Sequence, residues 1–320
     1  MSSPYLSIVV TGRNDGYGGD FNQRFFRALR FNHDKLRAAG VEHEVVLVEW
    51  APPADAPLLA DLIAAGLPDI APSVLTSYVV DPRYQHACTL NPQMAYLEYV
   101  AKNVGLRRAR GRFLLATNTD IYLSLGVVEA LAAAALEPGV VYRATRTDVK
   151  LGADESHVDW PLLDDERNHA TYKKIQPPLY AGGSGDFILL DRDSFHSVRG
   201  FNEVYRLARL GVDVNFLVKA YASGYRIADI GFPVYHTNHV GSFRISKSVV
   251  QNDAANTRWG RQEWPSHDVI YENWDGWGLR EAPETAMRPG VTRLEFSWAA
   301  VPPLVDLKRI VLPAKRVGQE

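Results

Sequence analysis

Apolar and polar positions alternate in two patterns over the first 120 residues. Short apolar runs rich in β-branched residues, each followed by polar or turn-forming residues, predict buried strands. They lie at residues 5–10, 44–50, 75–80 and 113–117. Apolar residues at helical spacing predict helices between these strands, at residues 21–36, 58–65 and 92–108. This alternation predicts a mostly parallel sheet covered by helices on both faces.

The pattern changes after residue 136, where a polar stretch at 148–174 predicts a loop. Further helices and strands are predicted at residues 125–136, 140–144, 187–190, 191–197, 212–223 and 225–229. From residue 240 the sequence becomes irregular and aromatic, and it holds five of the seven tryptophans. We therefore predict an α/β core at residues 1–239 and an irregular C-terminal extension at 240–320 that packs on it.

The composition indicates which kinds of binding partner and which cellular compartment to expect. The 35 Lys and Arg residues against 37 Asp and Glu give a formal net charge of −2, so we expect no nucleic-acid partner. A single cysteine, Cys88, excludes an internal disulfide. No apolar run reaches the roughly 20 residues of a membrane span, and the N-terminus lacks a signal-peptide pattern. We expect a soluble, cytoplasmic protein without a transmembrane segment.

Three familiar motifs are absent from the sequence. The loop TGRNDGYGGD after the first strand lacks the G-x-G-x-x-G spacing of dinucleotide-binding proteins, and no P-loop motif occurs. The run GGSGD at 182–186 places Asp186 where a serine-hydrolase elbow requires its second glycine. These classes of enzyme are therefore disfavoured.

Two oxygen-bearing side chains, Asn118 and Asp120, follow the strand predicted at 113–117. Residues two apart in an extended segment point the same way, and the carboxyl ends of parallel strands border ligand crevices. Mg²⁺ and Mn²⁺ prefer oxygen ligands of this kind. The pair predicts a metal site, and an ordinary turn after a strand is the alternative.

Other segments occur in a recognisable order along the chain. They are 6–15, 45–49, 101–115, 118–120, the glycine-rich run 180–192, and 200–203, 211–214 and 224–236. This order resembles the GT-A glycosyltransferases, particularly the large inverting family that includes many polysaccharide and lipopolysaccharide sugar transferases. The resemblance implies a GT-A fold with a nucleotide-binding half at residues 1–120 and an acceptor and catalytic half at 121–239.

The resemblance also implies a metal-dependent, inverting transfer of one sugar from a nucleotide-diphosphate donor to a hydroxyl of a glycan or glycolipid. Asp120 corresponds to the main ligand of Mn²⁺ or Mg²⁺, and His236 corresponds to a metal-binding histidine. Asn118 stands where the family has an aspartate, and its amide offers an oxygen but no charge. A hydrogen-bonded structural role is the alternative for His236.

Asp213 matches the position of the family's catalytic base, which takes the proton of the acceptor hydroxyl. Val212 before it stands where the family often has Glu or another polar residue. The alternative for Asp213 is a helix N-terminal aspartate that only interacts favourably with the helix dipole.

The resemblance further implies a set of donor-binding residues. They are Thr11, Arg13, Asn14, Glu49, Asn103, Arg107, Asn118, Gly182, Gly183, Gly185 and Asp186. Each has a structural alternative: Asn103 bends its helix, Arg107 is solvated, and the glycines shape a loop.

The C-terminal extension allows two interpretations. Its tryptophans stack on acceptor sugars, or they clamp the tail onto the core. Basic residues within 304–316 suggest weak peripheral contact with an anionic membrane or a lipid-linked acceptor. Two other functions remain open: a nucleotide-sugar-binding pseudoenzyme, suggested by Asn118 and Val212, and a glycoside hydrolase or phosphorylase that needs no activated donor.

Overall fold

The computed structural model describes residues 3–89, 94, 96–151, 157–204, 206, 211–237 and 272–303. Its strands are β1 (Leu6–Gly12), β2 (His43–Trp50), β3 (Leu75–Val80), β4 (Phe113–Thr117), β5 (Ile121–Leu123), β6 (Val140–Arg143), β7 (Arg146–Val149), β8 (His169–Lys173), β9 (Phe187–Asp191), β10 (Arg226–Asp229), β11 (Val234–Thr237), β12 (Glu284–Arg288) and β13 (Val291–Leu294). Its helices are α1 (Phe21–Ala38), α2 (Leu59–Gly66), α3 (Arg83–Cys88), α4 (Glu98–Arg108), α5 (Leu125–Ala132), α6 (Trp160–Asp164), α7 (Arg192–Ser197) and α8 (Val212–Ala222).

A nine-stranded sheet forms the centre, in the order β10-β6-β9-β4-β1-β2-β3-β13-β12. The four strands predicted in the first half, β1 to β4, pair in parallel. Every residue of β1 is buried, as expected for a strand covered on both faces, and Val9 lies between Val46 of β2 and Ala116 of β4. Strand β9 pairs antiparallel with β4 and β6, which makes the sheet mixed.

Helices cover both faces of this sheet. Phe25 of α1 and Val127 of α5 belong to one buried cluster, with Ile8 and Val10 of β1. Leu106 of α4 belongs to the cluster on the other face, where Val9 of β1 points, because successive strand residues face opposite sides. The predicted fold class, a mostly parallel α/β sheet with helices on both faces, is confirmed. No helix of the described residues is long and apolar enough to cross a bilayer.

A second sheet, in the order β5-β11-β7-β8, includes β8 and the end of β7 from the stretch where a loop was predicted. The loop prediction for 148–174 is wrong, since this stretch holds the end of β7, helix α6 and strand β8. Strand β8 is an edge strand that is only partly buried, so it has none of the apolar alternation that identified the other strands. Pairing of β11 with both β5 and β7 brings three distant segments together.

Part of the C-terminal extension completes the central sheet. Strands β12 and β13 form a hairpin, and β13 adds in parallel to β3, so this part is not irregular as predicted. Trp277 is 1% exposed and packs in the core with Leu106 and Phe201, which fits a clamp, whereas Trp298 is 73% exposed. Trp259, Trp264 and the basic residues within 304–316 lie outside the described residues.

Two histidines pack against each other where α1 meets β2. His33 Nδ1 lies 3.1 Å from His43 Nε2, and His43 Nδ1 lies 2.9 Å from the carbonyl oxygen of Val41. Burial lowers the pKa of both rings below the ordinary value of 6.5. Burial therefore favours the neutral form of both rings in the folded protein.

We expect the free energy of unfolding to fall as the pH drops below about 6.5. In that range the imidazoles of His33 and His43 bind protons more readily in the unfolded chain than in the folded protein. Urea denaturation at pH 7.5 and 5.5 measures this loss. The wild type should lose about 1–2 kcal/mol more than the double variant His33→Gln/His43→Gln. An equal loss in both proteins would show that this pair does not govern the acid sensitivity.

Candidate active site

Two side chains from different sheets meet at the carboxyl end of β4. Asp120 follows β4 after a tight turn, and His236 on β11 pairs opposite Ile121 of β5. Asp120 Oδ2 lies 3.6 Å from His236 Nε2, and both side chains are buried. The sequence predicted these two residues to act together, and the structure brings them together.

Asp148 on β7 fixes the orientation of His236. Its Oδ1 accepts a hydrogen bond of 2.8 Å from His236 Nδ1, so Nε2 points to Asp120. Burial alone would lower the pKa of His236, but the charge of Asp120 and the bond to Asp148 outweigh burial and raise it. Sequence reasoning missed Asp148, because only the parallel register of β7 with β11 reveals that it faces His236.

Arg24 of α1 is a second neighbour of Asp120. Its Nε lies 3.6 Å from Asp120 Oδ2, and its side chain is 1% exposed. Its guanidinium donates to the carbonyl of Tyr17 (3.2 Å) and contacts Asp20, so it also organises the loop between β1 and α1. The only sequence signal was the four-residue spacing from Asp20, which is too common to indicate a site.

Asn118 does not point toward Asp120 and His236. Its Oδ1 accepts a hydrogen bond of 2.9 Å from Lys102 Nζ, and its Nδ2 donates to Asp186 Oδ1 at 2.7 Å. Lys102 is buried and also pairs with Glu98 at 2.9 Å. The amide oxygen that was predicted to bind the metal thus accepts a hydrogen bond from an ammonium group in this structure.

Asp120 and His236 fit a divalent cation as a partial site. A carboxylate and a neutral imidazole suit Mn²⁺, and the bond from Asp148 to the far ring nitrogen is the usual support of a metal-binding histidine. In the described part of the chain no group of three or more His, Cys, Asp or Glu side chains is arranged to hold a metal ion. The remaining ligands would have to come from water and a substrate, which is common for Mg²⁺ and related ions.

Asp213 lies in the first turn of α8, beside the glycine-rich run. Its Oδ2 lies 2.7 Å from Ser184 Oγ, which is also 2.9 Å from the carbonyl oxygen of Ala181. A β-carbon on Gly185 would sit 3.6 Å from the same carboxylate oxygen, and one on Gly182 would clash with the carbonyl of Lys174. Glycine therefore allows this run to lie close to the backbone of Lys174 and, at Gly185, to the hydroxyl of Tyr99.

Arg143, at the end of β6, binds the backbone of the glycine-rich run. Its guanidinium is fully buried and donates at 3.1 Å to three carbonyl oxygens, those of Tyr180, Gly182 and Ser184. Burial lowers the pKa of Arg143 to about 10. Sequence reasoning missed this residue, since an arginine at the end of an apolar strand normally lies at the surface.

The predicted donor-binding residue Thr11 lies near the end of β1, and Arg13 and Asn14 lie in the loop after it. Arg13 pairs with Asp15 at 2.6 Å, and Asn14 Nδ2 donates to the carbonyl of Pro57 at 3.0 Å. These contacts stabilise the loop, whose Tyr17 and Gly18 carbonyls accept hydrogen bonds from Arg24. The loop lies on the same side of the sheet as Asp120, as its place at the carboxyl end of β1 requires.

Four other residues predicted to bind the donor make contacts within the protein: Glu49, Asn103, Arg107 and Asp186. The Glu49 carboxylate is fully buried and accepts from the backbone N–H groups of Leu59 and Ala60 at the start of α2. It caps that helix, and burial raises its pKa.

Asn103 and Arg107 on α4 contact two different segments of the chain. Asn103 is fully buried and exchanges hydrogen bonds of 2.8 Å with the backbone of Phe201. Arg107 lies over the ring of Trp277, with its guanidinium 4.8 Å from the ring centre. Asp186 is buried and uses both oxygens within the protein, since Oδ2 accepts from Arg146 at 2.7 Å and Oδ1 from Asn118.

The chain matches no family model and no curated protein sequence. Its fold is similar to that of several solved glycosyltransferases. GalNAc-T7 with UDP, GalNAc and Mn²⁺ shares 12% identity over 84% of this chain and 50% of its own, with a TM-score of 0.49. A mannosyltransferase from Pyrobaculum calidifontis with GDP-mannose and Mn²⁺ shares 17% identity over 76% of this chain and 59% of its own, with a TM-score of 0.42.

The catalytic domain of a Drosophila β1,4-galactosyltransferase 7 with xylobiose shares 12% identity over 91% of this chain and 92% of its own, with a TM-score of 0.42. The chain thus spans between half and three fifths of the first two structures and most of the third. At these identities and at TM-scores below 0.5, the similarity does not indicate a function. We argue the function from the side chains of the site.

Proposed function

We propose that this protein is a glycosyltransferase that moves one sugar from a nucleotide-diphosphate donor to a hydroxyl group, with inversion and with help from a divalent metal. One observation carries the proposal. The Asp213 carboxylate is hydrogen-bonded by Ser184 in the same short turn whose Asp186 binds Asn118, two residues before Asp120. The turn at 184–186 thus contacts the candidate base through Ser184 and, through Asp186, the residue two positions before the candidate metal ligand.

In this proposal Asp120 and His236 would hold Mn²⁺ or Mg²⁺, which when bound neutralises charge on the leaving diphosphate. Asp148 keeps the Nε2 atom of His236 turned toward Asp120. Thr11, Arg13 and Asn14 would lie along the nucleotide, and the glycine-rich run would lie against the sugar. Their place at the carboxyl edge of the sheet supports this arrangement.

Asp213 would take the proton of the acceptor hydroxyl as the new glycosidic bond forms and the bond to the diphosphate breaks. Ser184 has one hydroxyl proton and two acceptors within reach, Asp213 and the carbonyl of Ala181. It donates to Asp213 while that carboxylate is charged. Once Asp213 is protonated, Ser184 can turn its proton to Ala181, so the base is stabilised in both states.

Thermal unfolding with nucleotides tests the donor site. The purified protein is heated with UDP, GDP, dTDP or CMP, and with their common sugars, each with Mn²⁺ and with a chelator. A ligand at about 100 times its dissociation constant adds about 2.7 kcal/mol of stability. We expect one nucleotide to stabilise the protein with Mn²⁺ and to lose most of this effect with chelator. No shift with any nucleotide would contradict the proposal.

A second candidate is a nucleotide-sugar-binding protein without turnover. The contact of Lys102 with Asn118 favours it, because it removes one ligand from the cation site. Release of the nucleotide from its sugar in the presence of glycan acceptors distinguishes the two. A chain that binds the donor but never releases nucleotide would be the binding protein.

A further inference from the structure

The side chain of Asn118 connects two buried groups of opposite charge. Its Oδ1 accepts a hydrogen bond of 2.9 Å from Lys102 Nζ, and its Nδ2 donates one of 2.7 Å to Asp186 Oδ1. Lys102 is 0% exposed and Asp186 is 3% exposed. An ammonium group has only donors, and an ionised carboxylate has only acceptors. These partners require one acceptor and one donor from residue 118, and an amide offers both.

Other contacts hold both partners of Asn118 in place. Lys102 pairs with Glu98, one turn earlier on α4, at 2.9 Å, and its Nζ also donates to the carbonyl of Gly185 at 3.0 Å. Asp186 Oδ2 accepts from Arg146 at 2.7 Å. Buried charges are costly unless they are paired. Neither partner can therefore turn away from residue 118 to suit a different side chain there.

The contacts around Asn118 converge on the short turn at 184–186, which lies against the candidate base. Thr117, the last residue of β4, donates from Oγ1 to the carbonyl of Asp186 at 2.6 Å. Ser184, the first residue of the turn, lies with its Oγ 2.7 Å from Asp213 Oδ2. A displacement of Asp186 would therefore move Ser184, two residues away in the same turn, relative to Asp213.

We propose that Asn118 is a positioning residue that holds the turn at 184–186, and with it Ser184, in place beside Asp213, and that this role requires an amide. The inference rests on the proposed function. The aspartate that the GT-A resemblance implies at position 118 would still accept from Lys102. It would also set two carboxylate oxygens against each other where Asn118 Nδ2 and Asp186 Oδ1 now lie 2.7 Å apart. Like charges repel strongly where little water separates them.

An exchange of the two side chains tests this role. Asn118→Asp removes the donor to Asp186 and should lower the turnover number kcat by roughly 10²-fold, the effect of a small misplacement near the reacting groups. In the double variant Asn118→Asp/Asp186→Asn, the donor and the acceptor change places. The new amide at position 186 can donate to the new carboxylate at position 118 and still accept from Arg146. The double variant should therefore recover most of the lost turnover.

Transfer rates are measured well below the unfolding temperature of each variant, with the nucleotide sugar that stabilises the wild type and with Mn²⁺ at several concentrations. If residue 118 were a metal ligand, Asn118→Asp would need less Mn²⁺ or turn over faster, because a carboxylate binds the ion better than an amide does. Either result would overturn the proposal. Wild-type turnover by Asn118→Asp, or a double variant no more active than Asn118→Asp, would also overturn it.

Two further variants separate the role of the amide from a general loss of stability. Asn118→Ala loses both hydrogen bonds but places no charge opposite Asp186, so its turnover should lie between those of Asn118→Asp and the wild type. It replaces Asn118→Asp if that variant does not fold, and wild-type turnover would overturn the proposal. Asn168 is the matched control, since its Nδ2 donates to the carbonyl of Leu162 at 3.0 Å. Asn168→Asp should lose stability but keep its turnover.

Thermal unfolding of the same variants without substrate tests the exchange independently of transfer. The melting temperature of Asn118→Asp should fall by several degrees and should rise again in the double variant. A double variant that melts no higher than Asn118→Asp would overturn the proposal. Absence of transfer by the wild type would refute the proposed function, whereas a lack of rescue in a chain that does transfer sugar would refute only the role of Asn118.

Discussion

Replacing Asp213 with Asn is expected to lower the rate of sugar transfer by a factor on the order of 10²–10⁴, the usual contribution of a general base. The amide keeps the shape of the side chain and can still contact Ser184, but it cannot take a proton. Donor binding should be unchanged, because the neighbours of Asp213 among the described residues, Ser184 and Gly185, do not belong to the proposed nucleotide loop. The measurements are initial transfer rates and the thermal shift with the donor.

Asp193 provides the matched control. It also lies in the first turn of a helix, α7, but its side chain is 95% exposed. If Asp213 only interacts with the helix dipole, both Asn variants will lose a few tenths of a kcal/mol of stability and keep full activity. If Asp213 is the base, only its own variant loses activity. Retained turnover would refute the base, and a product with the donor's anomeric configuration would refute inversion.

Most of the central fold could be predicted because its strands are continuous apolar runs. The predicted bounds of β3 and β4 agree with the structure to the residue. Strands β7 and β8 were not predicted because their residues are polar or half-exposed. Strand β13 was not predicted because its apolar run is short and it becomes part of the sheet only by pairing with β3. Pairing of that kind depends on contacts between residues far apart in sequence.

The site was predictable where a single residue at the end of a strand decides its position, as for Asp120. The site was not predictable where a residue distant in sequence forms a hydrogen bond with the functional group of a side chain. Glu49 lies one residue before the end of β2, and both of its oxygens accept hydrogen bonds from the start of α2. Asn118 has the predicted place, yet Lys102 from α4 takes its amide oxygen. Long-range partners of this kind, including Asp148 and Arg24, leave no local signal in the sequence.

Arg143→Met is expected to lower turnover by roughly 10²-fold, the effect of a small misplacement near the reacting groups. Three carbonyls of the glycine-rich run lose their common donor, and Ser184, which contacts Asp213, belongs to that run. The free energy of unfolding should fall by only about 1–3 kcal/mol, because removal of a buried charge relieves part of the cost of lost hydrogen bonds. Transfer rates and thermal unfolding measure the two effects separately.

Two variants show whether the shape of the guanidinium matters. Arg143→Lys keeps the charge, but an ammonium cannot reach three carbonyls in the planar arrangement of arginine, so it should restore little turnover. Arg192→Met removes an arginine that donates to one carbonyl, that of Arg110, at an exposed position, and it should behave as the wild type. If Arg143 only stabilised the fold, the Met variant would regain normal turnover well below its unfolding temperature. Loss of turnover in the fully folded Lys and Met variants would instead make Arg143 the residue that holds Ser184 in contact with the base.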